Sequence, residues 1–137
     1  MYPGEDLVTV DTPAGCIGLS ICYDVRFPEL YRRLVDQGAT MFTVPAAFTQ
    51  PTGKAHWMTL LRARAIENLA YVIAPGQYGE HPDNRATFGH SSIIDPWGKV
   101  LATEADGNCF VAADVDPDLP GRLRSEFPAL SNRRLND

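Results

Sequence analysis

A short apolar segment of the chain ends at a cysteine, and a helix is predicted to begin six residues later. Residues 18–21 precede Cys22, and Pro28 is a favourable first residue for a helix. A sulfur at the carboxyl end of a buried strand, beside a helix N-terminus, lies where open α/β sheets collect reactive groups. Arg26 would favour the thiolate over the thiol, and the backbone N–H of Tyr23 would point toward a carbonyl attacked by the sulfur. We therefore predict that Cys22 is a nucleophile and that Tyr23 is an oxyanion donor.

Both Cys22 and Arg26 also have a structural interpretation. A reduced cysteine is among the most buried residue types, so Cys22 could simply pack in the core. Arg26 could bind substrate, or it could pair with Asp24 or Glu29 and fix the turn. The residues alone leave these alternatives open.

Three histidines are available for acid–base chemistry or for structural hydrogen bonds. His56 precedes the longest predicted helix and could contact substrate or serve as a local hydrogen-bond partner. His90 precedes a predicted strand and is interpreted as a buried residue that ties this strand to a loop. His81 lies in a polar segment and is expected to be exposed.

Helix and strand signals alternate along the chain. Short apolar or alternating runs predict strands at 7–12, 16–21, 39–44, 70–74, 90–95, 99–103 and 108–115. Apolar residues at helical spacing predict helices at about 28–37 and 54–69. A strand, a helix and a strand over residues 16–44 imply a parallel pair of strands. On the second helix, Glu67 is expected to pair with Arg62 or Arg64.

Two connections have clear sequence signals. Residues 95–98 predict a tight turn between antiparallel strands, because Pro96 stands at its second position and Gly98 at its fourth. Residues 76–87 are polar and predict an exposed loop. We expect a single domain over residues 1–137, with 121–137 as a C-terminal tail in which any helix is short.

Length and charge narrow the possible functions. A chain of 137 residues is long enough to bury a substantial hydrophobic core. The formal net charge of −5 and the absence of a Lys/Arg cluster argue against a nucleic-acid partner, because such binding depends on cations that neutralise phosphates. No apolar run approaches the ~20 residues of a membrane span, and the first residues do not resemble a signal peptide. No membrane partner is expected, and a cytoplasmic location is predicted.

The cysteine count favours reduced thiols. Three cysteines at irregular spacing fit neither a disulfide framework nor a paired zinc motif. Cys16 alternates within a predicted strand and Cys109 lies at the start of another. We interpret these two as packed thiols, which leaves Cys22 as the candidate for chemistry.

Three stretches of the chain resemble motifs of the nitrilase superfamily of carbon–nitrogen hydrolases. They are residues 18–30 around Cys22, residues 52–57 followed by 61–68, and residues 89–98. The motifs occur in the expected order, and the resemblance runs from about residue 3 to residue 130. The segment from Cys22 to Glu29, combined with residues 89–91 and 95–98, looks most like the amidase branch that includes deaminated glutathione amidase and ω-amidase.

The resemblance implies an α/β fold, as part of an α-β-β-α sandwich, with no metal or organic cofactor. It implies that Cys22 attacks a small linear amide, that ammonia leaves, and that water hydrolyses the thioester to a carboxylate. Tyr23 would supply its backbone N–H to the oxyanion. Arg26, Phe48 and His56 are the expected substrate-binding residues.

The catalytic glutamate and lysine of the family precede the cysteine in the chain. Only 21 residues precede Cys22 here, and none matches those positions, so the chain resembles the C-terminal half of a family member. Alone it is expected to be weak or inactive, because one missing oxyanion donor costs ~10²–10³ in rate. Relatives pair through helices near the nucleophile, so we expect a homo-oligomer or association with a missing N-terminal half.

Two other functions stay open on the sequence. Cys22 could pair with His56 or His90, oriented by an Asp or Asn, as in a cysteine protease-like hydrolase. Alternatively, the chain is a non-catalytic partner subunit that completes or regulates a longer hydrolase through an exposed sheet face.

Overall fold

A computed structural model describes residues 4–82, 84–105, 107 and 109–135. The strands are β1 (Thr9–Thr12), β2 (Gly15–Leu19), β3 (Met41–Thr43), β4 (Tyr71–Ala74), β5 (Tyr78–His81), β6 (Arg85–Phe88), β7 (Ser91–Ile94) and β8 (Val100–Glu104). The helices are α1 (Pro28–Asp36), α2 (Gln50–Thr52), α3 (Met58–Asn68) and α4 (Leu119–Glu126), with a 3-10 helix at Cys22–Arg26 and a π-helix at Gly53–Trp57. This is a mixed α/β fold, as predicted.

Six of the strands form one sheet in the spatial order β1-β2-β3-β4-β7-β8, and β5 and β6 form a separate hairpin. Strands β2, β3 and β4 are parallel, with Ile17 opposite Met41 and Met41 opposite Tyr71. Strands β1, β7 and β8 extend the sheet in antiparallel fashion. The predicted parallel pair is confirmed, because α1 connects the parallel strands β2 and β3. Three strands therefore end at the same edge of the sheet, just after β2, β3 and β4.

Helices α1 and α3 cover one face of the sheet. Gly18 of β2 lies under α1, where an added Cβ would stand only 3.0 Å from the Leu34 side chain. Tyr31 of α1 meets Phe42 of β3 edge to face, with ring centroids 5.0 Å apart. Together with Leu61 of α3, these apolar side chains are fully buried, and each such burial contributes about 1.5–3 kcal/mol. The hydrophobic core thus lies between the helices and this face.

Part of the opposite face is open. Because Gly18 faces α1, its neighbour Ile17 and the cross-strand partner Val10 point to the other side of the sheet. Val8 and Leu19 lie two residues farther along and share this side. Val8, Val10 and Leu19 are 46%, 45% and 42% exposed. We call Val8, Val10, Ile17 and Leu19 the open patch.

The second long helix begins earlier than predicted. It starts at α2 and passes through the π-helix before continuing as α3, instead of starting near residue 54. An added Cβ on Gly53 would collide with the side chain of Phe88, so this turn requires glycine to approach β6. π-Helical turns occur frequently at functional sites, and this one carries His56 and the buried Trp57.

Two sequence predictions are wrong. The segment 76–87, predicted as an exposed loop, contains the β5–β6 hairpin. Tertiary contacts stabilise this hairpin. The N–H of Phe88 donates to the carbonyl of Phe48 at 2.8 Å, and Thr49 forms an isolated β-bridge with Thr87. The predicted strand at 108–115 is not formed over 109–115, and residue 108 lies outside the described residues. Its alternating exposure is typical of a strand, but a strand also needs a hydrogen-bonded neighbour.

A buried arginine joins α3 to the 3-10 helix that begins at Cys22. Arg64 is 5% exposed, and its Nε donates to the carbonyl of Val25 at 2.9 Å. Its Nη1 donates to Oε1 of Glu67 at 2.7 Å, and its guanidinium lies 5.5 Å from the ring centroid of Tyr31. Of the two partners predicted for Glu67, the structure shows Arg64.

The hydroxyl groups of Ser20 and Tyr31 connect the ends of β2 and β3 to α1. The Ser20 hydroxyl donates to the carbonyl of Thr43 at 2.8 Å and lies 2.7 Å from the Tyr31 hydroxyl. A serine hydroxyl has one proton, so the Tyr31 hydroxyl is the donor in the second bond. Burial raises the pKa of Tyr31, which keeps this proton in place.

Arg124 of α4 bonds to the segments that lead into β3 and β4. Nη2 of Arg124 donates to the carbonyls of Ala39 and Asn68 at 2.8 and 3.1 Å, and burial lowers the pKa of Arg124. Before α4, the N–H of Asp116 donates to the Tyr71 hydroxyl at 3.2 Å. The C-terminal helix is short, as predicted. Within the described residues, no helix combines the length and the apolar composition required to cross a bilayer.

We expect Arg64→Ala to lower the free energy of unfolding by about 3 kcal/mol, because Glu67 and the Val25 carbonyl lose a buried partner. Arg64→Lys keeps the charge but not the planar guanidinium, and it should cost less. Urea denaturation followed by far-ultraviolet circular dichroism measures both changes.

The matched control for this experiment is Arg33→Ala, which removes an exposed arginine from α1. Its free energy of unfolding should stay within about 0.5 kcal/mol of the parent value. Equal stability of the Arg64→Ala and Arg33→Ala chains would contradict the structural role of Arg64.

Candidate active site

Cys22 is the first residue of the 3-10 helix and follows the carboxyl end of β2. Its φ angle is +52°, a left-handed conformation that costs a non-glycine residue about 1–3 kcal/mol. Two hydrogen bonds hold the turn: the Cys22 N–H donates to the carbonyl of Pro45 at 2.8 Å, and the Ile21 N–H donates to Oδ2 of Asp24 at 2.8 Å. The strained backbone is thus fixed from β3 on one side and from within the turn on the other.

The side chain of Cys22 borders a cavity of about 790 Å³. The cavity lies at the sheet edge where the three parallel strands end, and its wall includes Ala46 after β3 and Gly76 after β4. Gln77, Ser91 and Cys109 also line it. Cys22 is half-buried and packs against the hydrophobic core, and it also borders this open space. The nucleophile assignment stays a prediction.

Tyr23 supplies the backbone group next to the sulfur. It is the second residue of the 3-10 helix, and the first N–H groups of a helix have no acceptor within that helix. Tyr23 as a whole is 64% exposed. This position is consistent with the predicted oxyanion donor, which stays a prediction.

Arg26 lies between aromatic rings near the thiol. Its guanidinium carbon is 5.1 Å from the ring centroid of Phe48 and 5.2 Å from that of Tyr23. Cys22, Tyr23, Arg26 and Phe48 line a second cavity of about 250 Å³. Cation–π contacts of this kind are worth about 0.5–1 kcal/mol at exposed sites. The structure therefore brings together four of the five predicted site residues.

His56 reaches this cluster through Arg26. Nη1 of Arg26 lies 3.3 Å from Nδ1 of His56. A guanidinium only donates, so Nδ1 of His56 is the acceptor in this contact. Within the described part of the chain, Arg26 forms no ion pair with Asp24 or Glu29, the structural alternative considered for it. His56 is exposed and holds the guanidinium from the solvent side.

His90 has a structural role. Its Nδ1 donates to the carbonyl of Phe88 at 2.8 Å, and its ring stacks on the Phe88 ring at a centroid distance of 3.8 Å. Its own carbonyl accepts from Nε1 of Trp57 at 2.9 Å. Among the described residues that line the two Cys22 cavities there is no histidine, which removes the support for a Cys–His pair.

The other two thiols differ from each other. Cys16 stands opposite Asp11 in the β1–β2 pair, and burial together with Asp11 raises the pKa of Cys16. Cys109, predicted to be packed in a strand, is instead exposed and lines the 790 Å³ cavity with Cys22. That prediction failed because it depended on a strand at 108–115 that is not formed.

Sequence reasoning also missed one wall of the large cavity. Gln77 and Ser91 line it, and the Gly76 N–H donates to the Ser91 hydroxyl at 2.9 Å. A signal was available, because the polar residues after the third parallel strand must share an edge with Cys22. Because residues 76–87 were interpreted as an exposed loop, the position of Gln77 beside Cys22 was not predicted.

The two cavities lack the acid–base groups of an amidase. Among the described residues that line them, there is no Asp, Glu or Lys, and Arg26 is the one charged group. The described residues also contain no group of three or more His, Cys, Asp and Glu side chains placed to hold a metal ion. These residues offer a thiol, one cation and the backbone N–H that is predicted to face an oxyanion.

Comparison with known proteins points to one family. A carbon–nitrogen hydrolase family model matches residues 1–124. The chain is 50% identical over 135 residues to deaminated glutathione amidase of Dictyostelium discoideum, which covers 98% of this chain and 46% of the relative. It thus spans less than half of that relative's length.

Solved structures agree with the sequence comparison. The NitFhit protein of C. elegans superposes with a TM-score of 0.86 at 47% identity, covering 97% of this chain and 32% of the other. A glutamate-to-leucine variant of the amidase from Nesterenkonia sp. AN1 has a TM-score of 0.68 at 29% identity, covering 76% of this chain and 39% of that one. In that amidase the active-site cysteine carries the acetamide moiety of fluoroacetamide.

The raised pKa of Cys16 gives a testable prediction. A higher pKa leaves less thiolate at a given pH, so we expect alkylation of Cys16 by iodoacetamide to begin at higher pH than for an ordinary thiol. Asp11→Asn removes a negative charge beside the sulfur and should shift this profile to lower pH. Peptide mass spectrometry across neutral and alkaline pH measures each cysteine separately.

Asp114→Asn serves as the control, since it removes an exposed carboxylate from the C-terminal segment. It should leave the Cys16 profile unchanged. An Asp11→Asn profile identical to that of the parent chain would show that Asp11 does not act on Cys16.

Proposed function

Because the chain belongs to the carbon–nitrogen hydrolase family, we propose that it supplies the nucleophile of a thiol amidase that acts on a linear amide. The observation that carries this proposal is the left-handed Cys22, fixed at the start of a 3-10 helix and open to a cavity of about 790 Å³. Backbone strain of this kind persists only where the surrounding structure compensates for it, and it is found most often at functional sites.

The proposed reaction has two steps. The Cys22 thiolate attacks the amide carbon, the carbonyl oxygen becomes an oxyanion that accepts from the Tyr23 N–H, and the nitrogen leaves as a protonated amine with formation of a thioester. Water then attacks the thioester, releasing a carboxylate and restoring the thiol. When the substrate is a primary amide, the leaving group is ammonia.

The first step needs a proton donor for the leaving nitrogen, and the second needs a proton acceptor for the attacking water. The described residues of the two cavities include no carboxylate, lysine or histidine for these roles. General acid–base assistance contributes about 10²–10⁴-fold, and an oxyanion donor about 10²–10³-fold. We propose that the general base and a second oxyanion donor, a glutamate and a lysine in the family, come from polypeptide outside this chain. The chain spans only 46% of the length of the Dictyostelium relative, which supports this division.

Arg26 and Phe48 are proposed to bind the substrate. Phe48 is buried and supports the guanidinium from below, while His56 restrains it from the solvent side. This restraint lowers the entropy cost of holding Arg26 against a carbonyl or carboxylate oxygen. The Dictyostelium relative is named for deaminated glutathione, a compound with carboxylate groups, and we propose a carboxylated linear amide as the substrate here.

The open patch supports a proposed association. Val8, Val10 and Leu19 are apolar and exposed, on the side of the sheet that carries neither α1 nor α3. An α-β-β-α sandwich covers this side with a second sheet, so we propose that the remaining half of the sandwich packs here. The same observation favours a second candidate function, in which the chain is a non-catalytic subunit of a longer hydrolase.

Acylation of Cys22 tests the proposed function. We expect p-nitrophenyl acetate to release about one equivalent of p-nitrophenolate per chain in a burst, because an activated ester needs little help from a general base. The acetyl group should map to Cys22 by peptide mass spectrometry. An unactivated linear amide should turn over at least about 10²-fold below the typical enzymatic rate of about 10 per second.

Two variants make this test specific. Cys22→Ala should lose the burst, whereas Cys109→Ala, which removes the other thiol of the cavity, should keep it. A burst that survives in Cys22→Ala would rule out Cys22 as the nucleophile. Amide turnover by the isolated chain at an ordinary enzymatic rate would rule out an external base.

Association through the open patch is tested by size-exclusion chromatography with light scattering. We expect the isolated chain to elute as oligomers, since exposed apolar patches drive association. The double variant Val10→Lys and Leu19→Lys should shift it toward the monomer. Glu29→Lys, an exposed position on α1, is the control for added charge and should leave the distribution unchanged. A monomeric parent chain would contradict the proposed interface.

A further inference from the structure

We propose that residues 109–115 accept an added β-strand from the polypeptide that completes the α-β-β-α sandwich. We call these residues the second-layer segment. This inference rests on the proposed function, because it specifies how the proposed remaining half of the sandwich binds to this chain.

The second-layer segment lies over the face of the sheet opposite to α1 and α3. Ile73 of β4 stands opposite Ile93 of β7, so both point to one face. Their neighbours Val72 and Ile94 belong to the core under the helices, which places the two isoleucines on the other face. Val111 lines a cavity of about 250 Å³ together with Ile73 and Ile93. The segment therefore packs on the side that carries the open patch.

The segment runs along β4 in the opposite direction. Its first residue, Cys109, lines the same cavity as Gly76, which follows the end of β4. Just after its last residue, the N–H of Asp116 donates to the hydroxyl of Tyr71, the first residue of β4, at 3.2 Å. Extended chain stacked on a sheet in this way has the position of a strand in a second layer.

The segment leaves part of this face uncovered. Ile17, Met41 and Tyr71 stand side by side in β2, β3 and β4, so they share one side of the sheet. Met41 and Tyr71 are each 2% exposed, whereas Leu19 of the open patch is 42% exposed. The face is thus covered near β4 and open near β1 and β2.

The backbone of the segment is available for pairing. In the part of the chain that the structure describes, no hydrogen bond reaches the backbone of residues 109–115. Exposure alternates along it, with residues 110, 112 and 114 exposed and residues 111, 113 and 115 half-buried. This alternation is typical of an extended strand. A row of unpaired N–H and C=O groups on such a strand is a template for another strand.

The composition of the segment favours strand addition. Phe110, Val111 and Val115 are residue types that are enriched in strands, and Asp114 is its one charged residue. It contains no proline and no lysine, which are the residues that natural edge strands use to prevent pairing. Phe110 is 89% exposed, so a neighbouring strand would remove a large apolar surface from water.

The open patch indicates which polypeptide pairs with the segment. Strands within a sheet lie about 4.7–4.9 Å apart, so a strand added beside the segment lies above β3 and the next one lies above β2. Two added strands therefore cover Leu19. The chain spans 46% of the Dictyostelium relative, so the remaining polypeptide is long enough to supply them. A second copy whose segment faced its own sheet in the same way would place its β4 where β3 already lies.

Strand addition also connects the association to the thiol. Cys109 begins the segment and lines the 790 Å³ cavity that contains Cys22. A strand paired with the segment over its full length therefore reaches the wall of this cavity. The residues at that end of the added strand are placed to contribute the side chains that the cavity lacks.

Proline substitutions test the pairing. The probe is the portion of the Dictyostelium relative outside the matched 46%, affinity-tagged and co-expressed with the chain. Ala112→Pro and Ala113→Pro each remove one N–H, and adjacent residues of a strand direct their N–H groups to opposite edges. We expect at least one of the two to lower the amount of chain that co-purifies by about tenfold or more.

Two comparisons separate pairing from a general structural effect. Ala112→Ser and Ala113→Ser keep the N–H groups and should co-purify like the parent chain. In the isolated chain, both proline variants should keep the urea midpoint of the parent, because these N–H groups bond to no described residue.

Hydrogen–deuterium exchange with residue-resolved mass spectrometry gives an independent measurement. The amides of residues 109–115 should exchange without protection in the isolated chain and become protected in the complex. Pairing along one edge protects every second amide of the segment, and pairing along both edges protects all of them.

Three results would overturn the inference, and they are distinguishable. A complex that tolerates both prolines and leaves residues 109–115 unprotected shows that the remaining half binds through the open patch without strand pairing. Protection in the isolated chain that disappears on dilution shows that a second copy fills this edge. Failure of the parent chain to co-purify with the probe contradicts the proposed association itself, whereas the acylation of Cys22 is unaffected by any of these outcomes.

Discussion

The buried bond from Arg64 to the Val25 carbonyl is the constraint on which the candidate site depends. The 3-10 helix that begins at Cys22 is too short to be stable by itself, and its first residue has a strained left-handed backbone. Arg64 fixes the end of this helix to α3, and the Pro45 carbonyl fixes its beginning to the segment after β3. Because Arg64 is buried, releasing the turn would leave its Nε–H without an acceptor in the core.

Parallel strands explain why the site residues meet where they do. The ends of β2, β3 and β4 lead to Cys22, Ala46 and Gly76, which are distant in sequence and share one cavity wall. The segment after β2 contributes the thiol of Cys22. The segment after β3 contributes Phe48, which supports Arg26, and the segment after β4 contributes the polar Gln77. A thiol, a support for Arg26 and a polar wall are thus brought together at one edge of the sheet.

Much of this arrangement was predictable from the sequence, and the exceptions have a common cause. The turn after Cys22, helix α1 and the parallel pair depend on local signals, namely an apolar run, Pro28 and helical spacing. The β5–β6 hairpin has a polar sequence, and it forms because Phe88 and Thr87 bond to the segment around Phe48. The opposite error occurred at 109–115, where the local pattern of a strand has no pairing partner. Cys109 was misplaced for the same reason.

The open patch and the incomplete chemistry of the site are linked through Ile21. This residue is 67% exposed, follows β2 two residues after Leu19 of the patch, and lines the cavity that contains Cys22. Any element that packs on Val8, Val10 and Leu19 therefore ends at the rim of the cavity, close enough to add side chains to it. Burying the patch is favourable through the hydrophobic effect, whereas placing a carboxylate base beside the thiol carries a desolvation cost. The proposed association supplies the first contribution and so can offset the second.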